Sequence, residues 1–400
     1  MAAHDDVDAV RVVYSFTLGA DVVELAVRVP NGSEGIPSIA DLSHPGGRFE
    51  REIRDLFGVT PVGHPLPKRL VRHDNWPVGH YPMLRDVEAS PAFQPATGDY
   101  PFVQVTGDGV YEIPVGPIHA GLIEPGHFRF SVVGESILRM KARLWFLYRG
   151  VEKVFEGRQP ADSIALAERI SGDTAVGHAL AYARAVEAAL GLTVSPGVDA
   201  VRLTLVELER LHNHVADIGM IFNDVAYGIA NAHCQVQRER LLRHHAQLTG
   251  HRLLRGGITL GRVRLVGDVD LTLLADVGAE VANIVEMALL NRVVQDRLTG
   301  TSVLSATQAK TMQTLGFVAR ASGLAVDARL AESHPLLADF EPIVETDGDV
   351  KARLMVRVRE VQQSLELIAK LASSGLTSST GASPDRSRCR WRTRSCRTSR

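Results

Sequence analysis

The stretch Leu205-Val206-Glu207-Leu208-Glu209-Arg210-Leu211-His212-Asn213-His214, running on through Asp217-Ile218-Gly219 to Asn223-Asp224, lies in the middle of a 400-residue chain. Leu205, Leu208 and Leu211 recur at helical spacing and define a packed stripe, so the pattern predicts a long helix over 201–222. Glu207 stands one turn from Arg210 and from Leu211. Arg210 and His214, and His214 and Asp217, are neighbours in the same sense. These residues read as a buried charge network at a subunit interface, or as a path for protons. Glu209 reads as part of a solvated face. His212 and His214 are two residues apart, which puts their rings on different faces and makes them a poor metal pair.

Working outward, helical periodicity extends over 165–190, ending at Gly191, and over 232–248, 271–297, 305–320 and 350–372, with a glycine break at Gly256-Gly257. Upstream, short β-like stretches occupy 102–105, 111–115 and 128–133, and the pattern turns helical from Arg139. The first ninety residues read as small mixed α/β. Val22 to Val29 suits a strand. Residues 36–56 suit an amphipathic helix with a possible break at Gly46-Gly47, and the Pro/Gly-rich run 61–82 suits an extended surface segment. The fold class is therefore α+β: a small α/β domain over 1–89, a linker over 90–99, and a mainly helical domain with a short β-rich start over 100–372. Residues 373–400 form an arginine- and serine-rich tail expected to be disordered.

Bulk properties exclude several classes. The net charge of −2 offers no general basic surface for nucleic acid. Three cysteines, Cys234, Cys389 and Cys396, exclude a disulfide scaffold and suit a reducing compartment. Met1 to Val7 carries two aspartates and does not read as a signal peptide. The most apolar window, 271–290, is interrupted by Asp276, Glu280 and Glu286, so membrane association is expected to go through a partner.

Several blocks carry a family resemblance. Gly116-Pro117-Ile118-His119, then Glu124-Pro125-Gly126-His127-Phe128-Arg129-Phe130, then Arg149-Gly150-Val151-Glu152-Lys153, resemble the opening of a hydrogenase-type large subunit. The central stretch quoted above, with Arg238 to Arg243 and Leu248-Thr249-Gly250-His251-Arg252, resembles the large subunit of formate hydrogenlyase. Glu52-Ile53-Arg54-Asp55-Leu56-Phe57-Gly58, with Gly63-His64-Pro65, Trp76 and Leu84-Arg85-Asp86, resembles the 30 kDa subunit of complex I. The order matches fused subunits of nickel–iron hydrogenases of this type and the fused C/D subunit of NADH-quinone oxidoreductase. The 30 kDa-like part is expected to be incomplete and the 49 kDa-like part to be truncated at its C-terminus.

The resemblance implies an oxidoreductase subunit that packs against an iron–sulfur small subunit and membrane-arm subunits, peripheral on the inner, cytoplasmic face of the membrane. It transfers electrons at a quinone or hydrogenase-type site, with NAD entering only at the level of the complex. The family's first metal-binding cysteine pair falls on Ser171 and Thr174, whose hard hydroxyls cannot replace thiolates. No metal and no cofactor are therefore expected on this chain. The family's quinone-binding tyrosine falls on Gly172, and its histidine on His119 or His127, which can donate a proton. The alternative is that both histidines bond the backbone of a tight turn. Glu124 corresponds to a proton-passing glutamate, though Pro125 alters the spacing. Arg255-Gly256-Gly257 corresponds to a turn at the small subunit. A second functional class remains: a non-catalytic or vestigial structural subunit, the tail then being frame-shifted sequence. A third class, anionic-polymer binding, rests only on the tail's arginines.

Overall fold

A computed structural model describes residues 1–18, 21–88, 91–95, 102–119, 123–332 and 334–373. The N-terminal unit is an antiparallel sheet in the order β1 (Ala2–Asp5), β2 (Ala9–Leu18), β3 (Asp21–Pro30). Val10, Val12 and Tyr14 alternate onto the buried face, against Ile53, Leu56 and Phe57 of helix α1 (His44–Phe57). The helix is shorter than the sequence pattern predicts. Ile36–Pro37 forms strand β4, which pairs in parallel with β5 (Pro61–Val62). The helix starts after Ser43, whose Oγ accepts the Gly46 N–H at 3.1 Å. Gly46 and Gly47 lie within the first turn and do not break it. A Cβ on Gly47 would stand 2.8 Å from the Ala40 Cβ, so the residue allows a close approach.

One carboxylate organises the following segment. Asp55 Oδ2 accepts the N–H groups of Leu70, Val71 and Arg72 at 2.7, 2.9 and 3.1 Å. This draws the 70–72 backbone inward and buries Leu70 and Val71, so the Pro/Gly-rich run is partly core and not wholly surface. Glu50 does the same upstream, accepting the Ser38 hydroxyl at 2.6 Å and the Ile39 N–H at 2.7 Å.

The second unit opens with an antiparallel sheet of β6 (Val110–Val115), β7 (His127–Val133) and β8 (Ser136–Arg143). Residues 102–105 do not form a strand, and β8 stands where the pattern suggested helix. Helices follow: α2 (Val151–Phe155), α3 (Pro160–Ala167), α4 (Ala175–Leu190), α5 (Pro196–Asp224) and α6 (Gly228–Thr249). A small ribbon of β9 (Ile258–Thr259) and β10 (Arg262–Val263) precedes α7 (Leu271–Leu289), α8 (Arg292–Leu298), α9 (Ala306–Thr311), α10 (Gly316–Ala321) and α11 (Val350–Ser373). Three segments read as single helices are pairs. The run 165–190 is α3 and α4. The run 271–297 is α7 and α8, split where the Asn291 side chain accepts the Val293 N–H at 2.9 Å. The run 305–320 is α9 and α10, split at Gly316 with φ +63°.

Helix α5 is the axis of this unit. Its Leu205, Leu208, Leu211, Val215, Ile218 and Phe222 pack with Leu241 and Leu248 of α6, and with Leu354, Val361 and Ile368 of α11. The units touch where Lys153 Nζ donates to the Leu84 carbonyl at 2.9 Å and Ser43 Oγ to Gln313 Oε1 at 2.6 Å. Among the described residues no helix is long and apolar enough to cross a membrane. Residues 374–400, with the arginine tail, Cys389 and Cys396, lie outside the described residues, as do residues 90 and 96–99 of the linker.

Replacing Asp55 by Ala leaves three backbone donors without their acceptor. A loss of roughly 3 kcal/mol is expected, read as a lower urea midpoint of the N-terminal transition.

Candidate functional site

Residues 168–174, between α3 and α4, form a loop that carries Ser171 and Thr174 and is tied to the Gly256 turn and, through Arg149, to Glu124. Helix α4 starts without a side-chain cap from Thr174. Glu209, reaching across from α5, takes that role: its carboxylate accepts the Val176 N–H at 2.6 Å and the Gly177 N–H at 2.9 Å. Glu209 is 4% exposed, not part of a solvated face. Burial pushes its carboxyl up to about 7, against the two backbone donors and with help from the nearby Asp173 charge.

Asp173 is the acceptor of the loop. The hydroxyls of Ser171 and Thr174 both donate to its Oδ1, the second at 2.9 Å. Burial works to raise its pKa, but these two donors outweigh it and hold the carboxyl below its ordinary value. Asn213 Nδ2 donates to the Asp173 carbonyl at 3.0 Å. The positions that the resemblance matches to metal-binding cysteines, 171 and 174, present hard oxygens that donate to a carboxylate. Cys234 lies in the apolar core, its thiol pushed up to about 11 by burial.

Arg149 joins the loop to the β6–β7 connection. Its Nη1 donates to the Arg169 carbonyl at 3.2 Å, Nη2 donates to that of Ile170, and Nη2 lies 3.5 Å from Glu124 Oε1. Glu124 is exposed (68%). His119 Nε2 donates to the Gly126 carbonyl at 2.7 Å and His127 Nδ1 to that of Gly116 at 3.2 Å, so the two rings staple the turn. Arg129 Nε donates to the other His127 nitrogen at 3.1 Å.

On the opposite side, Glu168 accepts the Gly256 N–H, which ties the Arg255-Gly256-Gly257 turn to the loop. Gly256 has φ +77°, and a Cβ on Gly257 would come within 3.0 Å of the Leu205 side chain. Behind the loop, His212 is fully buried, and neither ring nitrogen has a hydrogen-bond partner. Burial pushes it down to about 4, with the Arg238 charge acting in the same direction. Its ring stands 5.3 Å from that of His245, which burial also holds well below its usual value. Sequence reasoning named Ser171 and Thr174 but missed Asp173, Glu168, Glu209 and His245 as site groups. The one available signal was a carboxylate between two hydroxyl residues at a helix start.

The charge network of α5 is present, and its described partners belong to this chain. Glu207 receives Arg210 Nε at 3.2 Å, Arg329 Nη1 at 3.3 Å and the Ser364 hydroxyl at 2.6 Å. His214 Nε2 meets Glu360 Oε2 at 2.6 Å, and Arg320 Nε donates to Glu360 Oε1 at 2.7 Å. Arg329 pairs with Asp327 at 2.8 Å, and Arg357 with Asp217 at 2.9 Å. Four guanidiniums thus face four carboxylates, which is how so much charge can be buried. His214 is held below its usual value by burial, although Glu360 opposes this.

Family models match three parts of the chain: the respiratory-chain NADH dehydrogenase 30 kDa subunit over 1–92, the nickel-dependent hydrogenase over 149–218, and the respiratory-chain NADH dehydrogenase 49 kDa subunit over 224–392. The chain is 30% identical to the C/D subunit of NADH-quinone oxidoreductase from Phocaeicola vulgatus over 84% of its own length and 69% of that protein. The chain belongs to this family of fused C/D subunits. It is also 33% identical to formate hydrogenlyase subunit 5 of Escherichia coli, covering 80% of itself and 58% of that relative, so it spans little more than half of the relative's length. A chain of the membrane-bound sulfane sulfur reductase, an archaeal respiratory membrane complex, has the same fold with a TM-score of 0.59 and 27% identity. That match covers 69% of this chain and 75% of the other. The two halves of the C/D-type subunit expected from the sequence are both present.

Two outcomes follow from the buried charges. The native Glu209 carboxyl keeps its proton up to about pH 7, whereas an ordinary one releases it near 4.5. Over that window the native state binds more protons, so the group's contribution to stability is largest at low pH and is lost as pH rises through 7. Relative to wild type, Glu209→Gln should therefore gain on the order of 3 kcal/mol between about pH 4 and 8, measured by urea unfolding across that range. Glu360→Ala strands Arg320 and His214 in the core and should cost about 3–5 kcal/mol; a midpoint within error of wild type would show the network to be dispensable.

Proposed function

We propose that this chain is the C/D-type subunit of a membrane-bound, complex I-like or hydrogenase-like oxidoreductase. It sits peripherally on the inner face of the membrane beside an iron–sulfur small subunit and membrane-arm subunits. The observation that supports this reading is the loop 168–174, at which Arg149 bonds the Arg169 carbonyl and lies 3.5 Å from Glu124, Thr174 bonds Asp173, Glu168 accepts the Gly256 N–H and Glu209 accepts the Val176 N–H. Electrons arrive from the partner's cluster. A quinone that accepts two electrons also takes two protons. Glu209, with a pKa near 7, is poised to hold or release one at neutral pH. Ser171 and Thr174 orient their protons on Asp173, and Arg149 holds Glu124 against the loop. The oxygen donors at 171 and 174 do not suit nickel, and no step is assigned to a metal on this chain.

A second reading, a non-catalytic structural subunit, is favoured by one observation. Both His119 and His127 spend a ring nitrogen on turn carbonyls, and Glu124 points to solvent.

The two readings are separated by isolating the tagged chain from membranes with its partners. Co-purification of an iron–sulfur subunit, with nickel well below one per chain, is expected. Asp173→Asn or Glu209→Gln should slow quinone reduction by at least about a hundredfold while assembly is retained. Unchanged turnover in both variants would leave only the structural role, and recovery of the chain alone from the soluble fraction would remove the assembly.

A further inference from the structure

The junction of the two units encloses a second site, remote in sequence from the loop. A cavity of about 590 Å³ lies between α1, the 66–74 segment and the end of β8. Six cations line it: Arg48, Arg51, Lys68, Arg69, Arg72 and Arg143. The one acidic residue among the lining is Asp74. A chain of net charge −2 has gathered a concentrated positive field here. Among the described residues, Arg48, Lys68, Arg69 and Arg72 make no ion pair with a carboxylate. Arg69 Nη1 donates to the His73 carbonyl at 3.0 Å, and Arg51 donates to the Lys68 and Arg69 carbonyls at 2.8 and 2.9 Å. The carbonyl of His73 fixes the Arg69 guanidinium in place without neutralising it.

Arg72 is the built part of the site. It is only 6% exposed, its Nη1 donates to the His80 carbonyl, and its Cζ lies 4.8 Å from the centre of the Tyr81 ring. Its Nε is buried without a hydrogen-bond partner. The head group is thereby held against His80 and Tyr81 with one donor unspent. The far wall is held by His73, which receives Arg143 Nη2 at 2.7 Å and bonds the Trp145 carbonyl at 2.8 Å. Trp145 has φ +65°, a conformation that L side chains rarely adopt, at the rim of the cavity.

We propose that this cavity is a binding site for a phosphate-bearing anion, with Arg72 as its buried anchor and Lys68, Arg69 and Arg48 as its outer contacts. Planar guanidiniums fixed at several angles suit the oxygens of a phosphate or diphosphate group, and the volume suits a small phosphorylated molecule better than free phosphate alone.

The test is titration of the full chain with pyrophosphate by calorimetry, against potassium chloride at matched ionic strength, with inorganic phosphate and hexaglutamate as comparators. Saturable binding of pyrophosphate is expected, tighter than that of phosphate. Arg72→Gln and the surface pair Lys68→Gln/Arg69→Gln should each weaken it by about tenfold or more. If Arg72→Gln does not fold, the surface pair decides. A response equal to that of matched salt, binding unaltered in the variants, or saturable binding of hexaglutamate alone would each overturn the proposal, the last in favour of an acidic protein segment.

Discussion

Helix α4 begins beside a carboxylate that belongs to another helix, and much of the centre of the molecule depends on that contact. The first N–H groups of any helix need acceptors, and here Glu209 of α5 supplies them from across the core. The arrangement fixes the distance between α4 and α5, and with it the path of the loop 168–174. It also places an ionisable group where water is excluded, so its proton affinity moves into the neutral range. A contact that sets the geometry of the loop thereby sets its chemistry. An apolar residue at 209 would leave the helix start without acceptors, and an exposed carboxylate would titrate far from neutrality.

The same helix carries the buried charge network on another face. Burying an unpaired guanidinium is prohibitively costly, so each arginine that reaches α5 from α10, α11 or the 327–329 segment must meet a carboxylate. Glu360, wholly inside α11, is shared between His214 and Arg320, and Glu207 between Arg210, Arg329 and Ser364. Such pairing adds little net stability compared with a well-packed apolar core. It does restrict how α11 can slide along α5, because a shift of one turn would separate every pair at once.

What the sequence disclosed follows from the kind of signal each feature leaves. The stripe Leu205, Leu208, Leu211 repeats at helical spacing, so α5 was legible almost to its ends, and α6 and α11 likewise. The pairs α3–α4, α7–α8 and α9–α10 were read as single helices because apolar periodicity continues across the breaks. Asn291 and Gly316, which end the periodicity physically, are single residues within it. Strand β8 was read as helix from Arg139 although Arg139, Lys141 and Arg143 alternate with Met140 and Ala142 as a strand requires. In the N-terminal unit, β1 and β2 lacked turn signals strong enough to separate them. Among the site residues, those fixed by local spacing were visible, such as Glu207 with Arg210. Those defined by a partner far along the chain were not. Glu209 needs Val176, and Glu168 needs Gly256, to be recognised as anything other than surface charge.

The loop 168–174 is tied to several other elements at once. Arg149 bonds its carbonyls, Glu168 the Gly256 N–H, Asn213 the Asp173 carbonyl, and Glu209 the N–H groups at its exit. The hydroxyls at 171 and 174 each add a bond to Asp173 from within the loop. Against the burial that would raise it, these two O–H donors help hold the Asp173 carboxyl below its ordinary value. The loop's shape and the protonation of its central carboxylate therefore rest on the same short-range bonds, so a change at 171 or 174 acts on both.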